Sequence, residues 1–178
     1  KILIATQSGK IKAVTPDLQM HFEDDMIVLE KWKPKKPVSV IYYDGEKERY
    51  YVKRFLIETE EKEEVFISEH SKSQLKIIVV DYRPIAEVIF SKRSLDKKEI
   101  NFEDFIAVKG IKAKGNQLTT DKIKQVNLLA SLPFEEPEEP VVEELEVVEE
   151  DVISTSEKTH PSTTINTDTT DDGQITLF

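Results

Sequence analysis

The sequence contains no cysteine, only five glycines among its 178 residues, and no long hydrophobic run. The absence of cysteine excludes a disulfide-stabilised scaffold, a cysteine nucleophile, a thiolate zinc site and an iron–sulfur cluster. No apolar stretch approaches the ~20 residues that a membrane-spanning helix needs, and no signal-peptide pattern opens the chain. We therefore expect a soluble protein of a reducing compartment, the cytoplasm, with no membrane partner.

Motifs that carry catalytic chemistry are also missing. The sequence has no Walker loop and no G-x-G-x-x-G pattern, and His21, His70 and His160 stand alone, without metal-ligand spacing. The carboxylate run at residues 58–64 is typical of a solvated turn. We predict that this chain contains no catalytic residue, no metal site and no cofactor site.

The charge is unevenly distributed along the chain. Residues 1–129 contain 24 of the 25 Lys and Arg and 21 of the 35 Asp and Glu, a net charge of +3, whereas residues 130–178 contain one Lys and 14 acids, a net charge of −13. The second part is rich in Pro, Glu, Ser and Thr, a composition that cannot bury enough apolar surface to fold. The sequence predicts a mildly basic domain at 1–129 and a disordered acidic tail at 130–178. Charge asymmetry of this kind favours a nucleic-acid partner or a tail that competes with one. A merely solubilising tail is the alternative.

Short runs of Val, Ile, Tyr and Phe predict an all-β fold for residues 1–129. Asp44-Gly45 and Ser8-Gly9 each lie between two such runs and predict β-hairpins, in the first case because Gly tolerates positive φ. A single helical turn is expected at 101–105. The predicted strands are 2–6, 26–29, 38–43, 50–57, 65–68, 75–81, 87–90, 105–109 and 123–129.

A faint internal repeat suggests how these strands are arranged. IVLEK, ending at Lys31, resembles VIFSK, ending at Lys92, and ILIA at residues 2–5 resembles VFIS at 65–68. The offsets predict two units, 1–63 and 64–129, each a four-stranded blade of a propeller-like array. Chance similarity among strand residues is the alternative. Because two blades cannot close a ring, and because Lys1 runs directly into a predicted strand, we expect the chain to be part of a longer protein.

Basic residues recur at corresponding places in the predicted strands. Lys10 and Lys12 alternate about Ile11, as Lys112 and Lys114 alternate about Ala113, so each pair is expected on one strand face. Such faces would hold the phosphates of duplex DNA in a salt-dependent, largely sequence-independent manner, unless they are ordinary solvated surfaces. The predicted DNA-binding residues are Lys10, Lys12, Lys53, Arg54, Lys109, Lys112 and Lys114.

Three segments resemble a known family. Residues 105–120, FIAVKGIKAKGNQLTT, followed by DKIKQVNL, resemble the closing segment of the C-terminal domain in the A subunit of bacterial type IIA topoisomerases. Asp44-Gly45 with YVKRF at 51–55, and ATQSGKIK at 5–12, are similar to the topoisomerase IV-type A subunits of Bacteroidetes. The basic loop that marks the corresponding DNA gyrase protein is absent, which favours topoisomerase IV.

The resemblance implies a fold and a function. In that family the domain is a β-pinwheel, a propeller variant whose strands cross between neighbouring blades, and DNA binds around its basic rim. This chain would be the last blades of the pinwheel, holding or bending duplex DNA for strand passage near the nucleoid. Cleavage would belong to the upstream breakage–reunion domain of the same polypeptide. The partners would be ATPase B subunits and a second A subunit, with ATP and Mg²⁺ acting elsewhere in the holoenzyme. The alternative is a propeller-like scaffold that binds proteins and not DNA.

The last five residues form a separate motif. Gln174, Leu177 and Phe178 fit the Q-x-x-L-F pattern, which resembles the motif that docks bacterial proteins on the replicative sliding clamp. Leu177 and Phe178 would fill an apolar pocket and Gln174 would hydrogen-bond at its edge. We therefore predict residues 174–178 as a docking motif for the sliding clamp.

Overall fold

The computed structural model describes residues 1–135, which form eleven strands and one helical turn. The prediction of an all-β fold is confirmed, as is the helical turn after Asn101. None of the helical structure in this part of the chain has the length and apolar character needed to cross a membrane. The elements are β1 (Ile2–Thr6), β2 (Lys10–Val14), β3 (Met26–Lys31), β4 (Val38–Asp44), β5 (Arg49–Phe55), β6 (Glu64–Val65), β7 (Gln74–Val80), β8 (Ile85–Phe90), β9 (Lys98–Asn101), α1 (Phe102–Phe105), β10 (Asn116–Thr119) and β11 (Ile123–Leu128).

The strands form three antiparallel sheets. The first has the order β3-β1-β2-β6, the second β10-β5-β4-β7 and the third β11-β8-β9. Each sheet is built on a hairpin, and β3, β7 and β11 occupy the same place beside the first strand of their hairpins. The fourth strand comes from further along the chain, because β6 follows β5 yet joins the first sheet, and β10 follows β9 yet joins the second.

The predicted units at 1–63 and 64–129 do not coincide with the three observed sheets. The described residues form three sheets, and the boundary at residue 63 cuts between β6 and the sheet that it completes. The sequence similarity that suggested the division matched β3 with the end of β8, and these two strands occupy different places in their sheets. Short apolar strands resemble one another whatever their place in a fold, so the similarity carried no information about pairing.

The second sheet is covered on both faces. Val38, Val40 and Tyr42 of β4 pack with the first sheet in one hydrophobic core, while Ile41 of the same strand packs with the third sheet in another. Because successive side chains of a strand point to opposite faces, this strand supplies both cores. The near-continuous burial of β4 and β5 follows from their central place in the second sheet.

Both predicted hairpins are present, although the physical reason differs at Asp44-Gly45. The carboxylate of Asp44 accepts hydrogen bonds from the backbone N–H groups of Glu46 and Lys47, at 3.0 and 3.2 Å. Positive φ falls on Glu48, at 54°, and not on Gly45. Gly45 is needed because a Cβ there would lie 2.7 Å from the backbone carbonyl carbon of Lys72, and 2.5 Å from Nδ1 of His70. Close approach of the 70–72 segment, and not turn type, therefore selects glycine.

Several predicted boundaries were wrong. The predicted strand at 65–68 is reduced to β6, and the predicted strand at 105–109 is helical turn and extended loop. β9 and β10 were not predicted, because both are four residues long and mostly polar. The folded part also continues beyond residue 129: Leu132 donates a backbone hydrogen bond to the carbonyl of Arg83 at 2.9 Å, and the ring of Phe134 stacks on Tyr82.

Gly115, which leads into β10, carries a testable prediction. Its φ is +92°, and a Cβ built on it would lie 2.1 Å from the carbonyl oxygen of Val52 in β5. We expect Gly115→Ala to lower the free energy of unfolding by ~1–3 kcal/mol, because a residue with a Cβ strains the backbone there and displaces β10. Gly110→Ala is the matched control, because nothing lies within 4 Å of its Cβ position. Urea denaturation followed by circular dichroism measures both, and equal stability of the two variants would contradict the prediction.

Candidate nucleic-acid interface

Lys10 and Lys12 lie on one face of β2, as the alternation predicted. Ile11 between them is buried in the core, while both lysine side chains are partly exposed. Their ammonium groups face carboxylates, since Lys10 Nζ lies 3.2 Å from Glu63 and 3.7 Å from Glu23. The hydrogen bond to Glu63 and the nearby charge of Glu23 raise the pKa of Lys10. The positive charge of this face is therefore locally compensated.

Lys53 and Arg54, both predicted as DNA-binding residues, are buried. They are 5% and 7% exposed, because β5 lies between β4 and β10 in the sheet that is covered on both faces. Consecutive residues of a strand point to opposite faces, so the two side chains enter different parts of the molecule. They cannot form one surface patch, and the prediction that they occupy an open rim position is wrong.

The ammonium group of Lys53 is a buried cation with a single hydrogen-bond acceptor. Its Nζ donates to the backbone carbonyl of Phe66 at 2.6 Å and lies 5.7 Å from the ring centroid of Phe55. No carboxylate of the described residues forms an ion pair with it. Burial lowers the pKa of Lys53 to about 8, because a charged group loses its hydration inside a protein.

The guanidinium of Arg54 enters the opposite side of the second sheet. One terminal nitrogen donates a hydrogen bond to the carbonyl of Tyr82, and Nε is buried without a hydrogen-bond partner within residues 1–135. Burial lowers the pKa of Arg54, against the opposing effect of the Glu103 carboxylate. The backbone carbonyl of Arg54 accepts from the N–H of Lys109 at 2.9 Å. Arg54 thus connects β5 to the loop before β8 and to the segment after α1.

Lys109, Lys112 and Lys114 lie on an irregular segment and not on a strand face, so the predicted strand alternation about Ala113 is wrong. The segment touches β5 through a parallel bridge between Lys109 and Phe55, then turns where the N–H of Ala113 donates to Gly110 at 2.9 Å. All three lysines are exposed. The segment presents them from a turn held against the central sheet.

Lys114 is the member of this group with an acidic partner. Its Nζ lies 2.7 Å from a carboxylate oxygen of the fully buried Asp44, and 5.2 Å from the ring centroid of Tyr51. The hydrogen bond to Asp44 raises the pKa of Lys114. Burial alone would raise the pKa of Asp44, but the hydrogen bonds from Lys114 and from the backbone of Lys47 and Glu46 outweigh it and lower that pKa. This ion pair closes the β4–β5 hairpin against the 110–115 turn.

The structure brings together three of the predicted residues. Lys53, Lys112 and Lys114 line one cleft of about 300 Å³, together with Tyr42, Asp44, Val65, Ile67, Ser68 and Glu69. We call this space the β5 cleft. Lys10 and Lys12 line a separate, small depression with Glu63, and Lys109 lines neither.

Sequence reasoning missed the acidic partners of these lysines. Glu63 belongs to the carboxylate run interpreted as a solvated turn, and Asp44 was assigned only to the hairpin. The opposite charges of the carboxylate run at 58–64 and of the lysines of β2 could have indicated ion pairs, but the two segments lie some fifty residues apart in the sequence. Pairing between β2 and β6 is what brings Glu63 to Lys10.

Two predictions fall on residues that the structure does not describe. The sliding-clamp motif of Gln174, Leu177 and Phe178 and most of the acidic tail lie outside residues 1–135. Both stay predictions.

Comparison with known families decides what kind of domain this is. The family described as topoisomerase C-terminal domain, Bacteroidota, matches residues 1–130. The chain belongs to that family. The match spans all three sheets of the topoisomerase C-terminal domain, including the segment with Lys109, Lys112 and Lys114. No curated protein and no solved structure matches the chain significantly. The family resemblance inferred from the sequence is thereby confirmed.

Proposed function

We propose that this topoisomerase C-terminal domain binds duplex DNA and holds or bends it for ATP-dependent strand passage by a topoisomerase IV-like enzyme. The observation that carries the proposal is the family membership of residues 1–130. Within that part of the chain, Lys109 and Lys112 are exposed and form no ion pair with a carboxylate of the described residues. Surface ammonium groups without a carboxylate partner are suited to phosphate contacts that fix DNA without reading its sequence.

The strand topology supports the further proposal that the sheets are blades of a β-pinwheel. In that architecture strands cross between neighbouring blades. Here β6 leaves the second hairpin to complete the first sheet, and β10 leaves the third hairpin to complete the second sheet. Two successive exchanges of the same kind make a repeating pattern, in which the first and second sheets are each completed by a strand from further along the chain.

Burial and ion pairing reduce the number of residues that we propose as DNA contacts. Lys53 and Arg54 are buried, and Lys10 and Lys12 face Glu63. The 109–114 segment is therefore the strongest candidate for phosphate contact. Lys114 shares its charge with Asp44, which leaves Lys109 and Lys112 as the principal contacts.

A salt series with paired charge variants tests the proposal. We expect Lys109→Gln/Lys112→Gln to weaken binding of the full chain to a short duplex and to reduce the slope of log K against log salt by about 2, since each phosphate contact contributes about 0.9. Lys122→Gln/Lys124→Gln is the matched control, because it removes the same charge from exposed positions around the start of β11. Lys114 is left intact because its removal would leave the buried Asp44 without its cation.

The outcomes separate the two functions. Equal weakening by both double variants would contradict a local contact at 109–114 and would point to a net-charge effect. Absence of duplex binding at low salt would favour the protein-binding scaffold, whose apolar interface would be insensitive to salt.

The remaining features of the proposal concern the parent enzyme. The proposed partners are the upstream breakage–reunion domain, ATPase B subunits, a second A subunit, and the sliding clamp, in a cytoplasmic, nucleoid-associated location. ATP and Mg²⁺ would act in other parts of that assembly. Residues 1–135 contain no group of three or more His, Asp or Glu side chains arranged to hold a metal ion.

A further inference from the structure

The β5 cleft contains a cation whose hydrogen-bonding capacity is largely unused. An ammonium group has three N–H donors, and Lys53 uses one of them on the carbonyl of Phe66. Lys53 itself lines the cleft, as do Val65, Ile67 and Ser68 on either side of the Phe66 carbonyl that accepts its hydrogen bond. The side chain is 5% exposed, so bulk water solvates it poorly. A buried cation in this state is stabilised by an anion that enters from the cleft.

The other charged groups of the cleft leave a net positive charge. Lys114 and Asp44 neutralise each other at 2.7 Å. Within the cleft lining, Lys53 and Lys112 remain against one carboxylate, that of the exposed Glu69, while Glu63 and Glu64 line the adjoining depression that Lys112 and Glu69 also border. The cleft volume of about 300 Å³ is at the lower end of the range of small-molecule sites. The space thus suits a compact anion with two or more negative oxygens.

We propose that the β5 cleft binds a phosphate group between the ammonium groups of Lys53 and Lys112. Lysine ammonium groups bind phosphate as point charges, without the fixed fork geometry of a guanidinium. The neighbouring guanidinium, that of Arg54, points to the other side of the sheet. The phosphate group belongs either to a free phosphate compound or to the backbone of DNA. The second source rests on the proposed function, and the first does not.

Nuclear magnetic resonance of the lysine side chains tests the proposal on the full chain. In phosphate-free buffer we expect added inorganic phosphate to shift the Lys53 signals and to raise the pKa of Lys53 above about 8, because a bound anion favours the charged form. Sodium chloride at equal ionic strength is the salt control and is expected to leave the pKa unchanged. Lys53→Met is expected to weaken phosphate binding about tenfold or more, and Lys124→Met, on β11 in the third sheet, is expected to leave it intact.

The design keeps the outcomes distinct. No shift of Lys53 with phosphate, or full phosphate affinity in Lys53→Met, would overturn the proposal. If Lys53→Met does not fold, Lys112→Gln is measured in its place, since Lys112 is exposed. Undiminished phosphate affinity in Lys112→Gln would also overturn the proposal.

A short duplex in place of phosphate identifies the source of the group. The same shift of Lys53 supports a phosphate of the DNA backbone. Phosphate binding without any DNA binding supports a site for free phosphate compounds, and in that case the proposed DNA function fails while the cleft assignment stands. If the duplex binds without shifting the Lys53 signals and inorganic phosphate does shift them, the DNA-binding site and the phosphate site are separate.

Discussion

We expect Phe55→Ala to lower the free energy of unfolding by about 3–5 kcal/mol. The side chain is fully buried between the first and second sheets, with its ring centroid 5.7 Å from that of Phe66. Truncation would remove apolar contacts and leave a cavity that the rigid central sheet cannot close. Urea denaturation of the full chain, followed by circular dichroism, measures the loss. Phe22→Ala is the control, because Phe22 is 45% exposed and its removal should change the stability by less than ~0.5 kcal/mol.

A companion variant tests whether the three sheets unfold together. Phe102 is fully buried in the other core, between the second and third sheets. Because both cores share the central sheet, we expect Phe102→Ala and Phe55→Ala each to shift one common unfolding transition. Two separate transitions, or a loss below ~1 kcal/mol in either variant, would contradict the assignment of the second sheet as the shared layer.

The second large effect is a pH dependence of stability that originates at Lys53. Burial lowers its pKa from an ordinary 10.5 to about 8. Between these values the unfolded chain holds the proton and the folded chain has released it. Stability therefore rises with pH across this window, by about 3 kcal/mol in total from this group. Below pH 8 both states are charged, and the cost of burying the cation is fully present.

Comparison with Lys53→Met isolates this contribution from the other lysines and tyrosines, which also titrate at high pH. We expect the wild type to gain stability relative to Lys53→Met as the pH rises from 8 to about 10, by roughly 1.4 kcal/mol per unit at most. Lys124→Met is the control and should follow the wild type, since Lys124 is exposed. Denaturation in phosphate-free buffer at several pH values measures the difference. A difference that does not vary with pH would show that Lys53 titrates as an ordinary surface lysine.

Local features of the fold were predictable from local sequence. Ser8-Gly9 and Asp44-Gly45 marked their hairpins correctly, and in the second hairpin Tyr42 lies opposite Tyr51 and Tyr43 opposite Tyr50. The exposure of Lys10 and Lys12 about a buried Ile11 also followed from alternation. These features depend on neighbouring residues or on the two-residue period of a strand, and the sequence displays both directly.

Features that depend on pairing between distant segments were not predictable. β6 has two residues and β10 is NQLT, so neither carries the apolar alternation that identifies a strand. Their hydrogen bonds to β2 and β5 nonetheless complete two of the three sheets. The stabilising contribution comes from the partner strand and the core beneath it, which a sequence window does not contain.

The amino-acid sequence by itself determined that this chain is an all-β member of the topoisomerase C-terminal domain family, with its hairpins in place and its excess of acids after residue 130. Only the tertiary structure decided which lysines remain on the surface. Lys53 and Lys112 are the same residue type in similar basic surroundings, yet one is buried and the other exposed. Burial is set by what covers a strand on each face, and the covering sheets come from residues far away in the sequence.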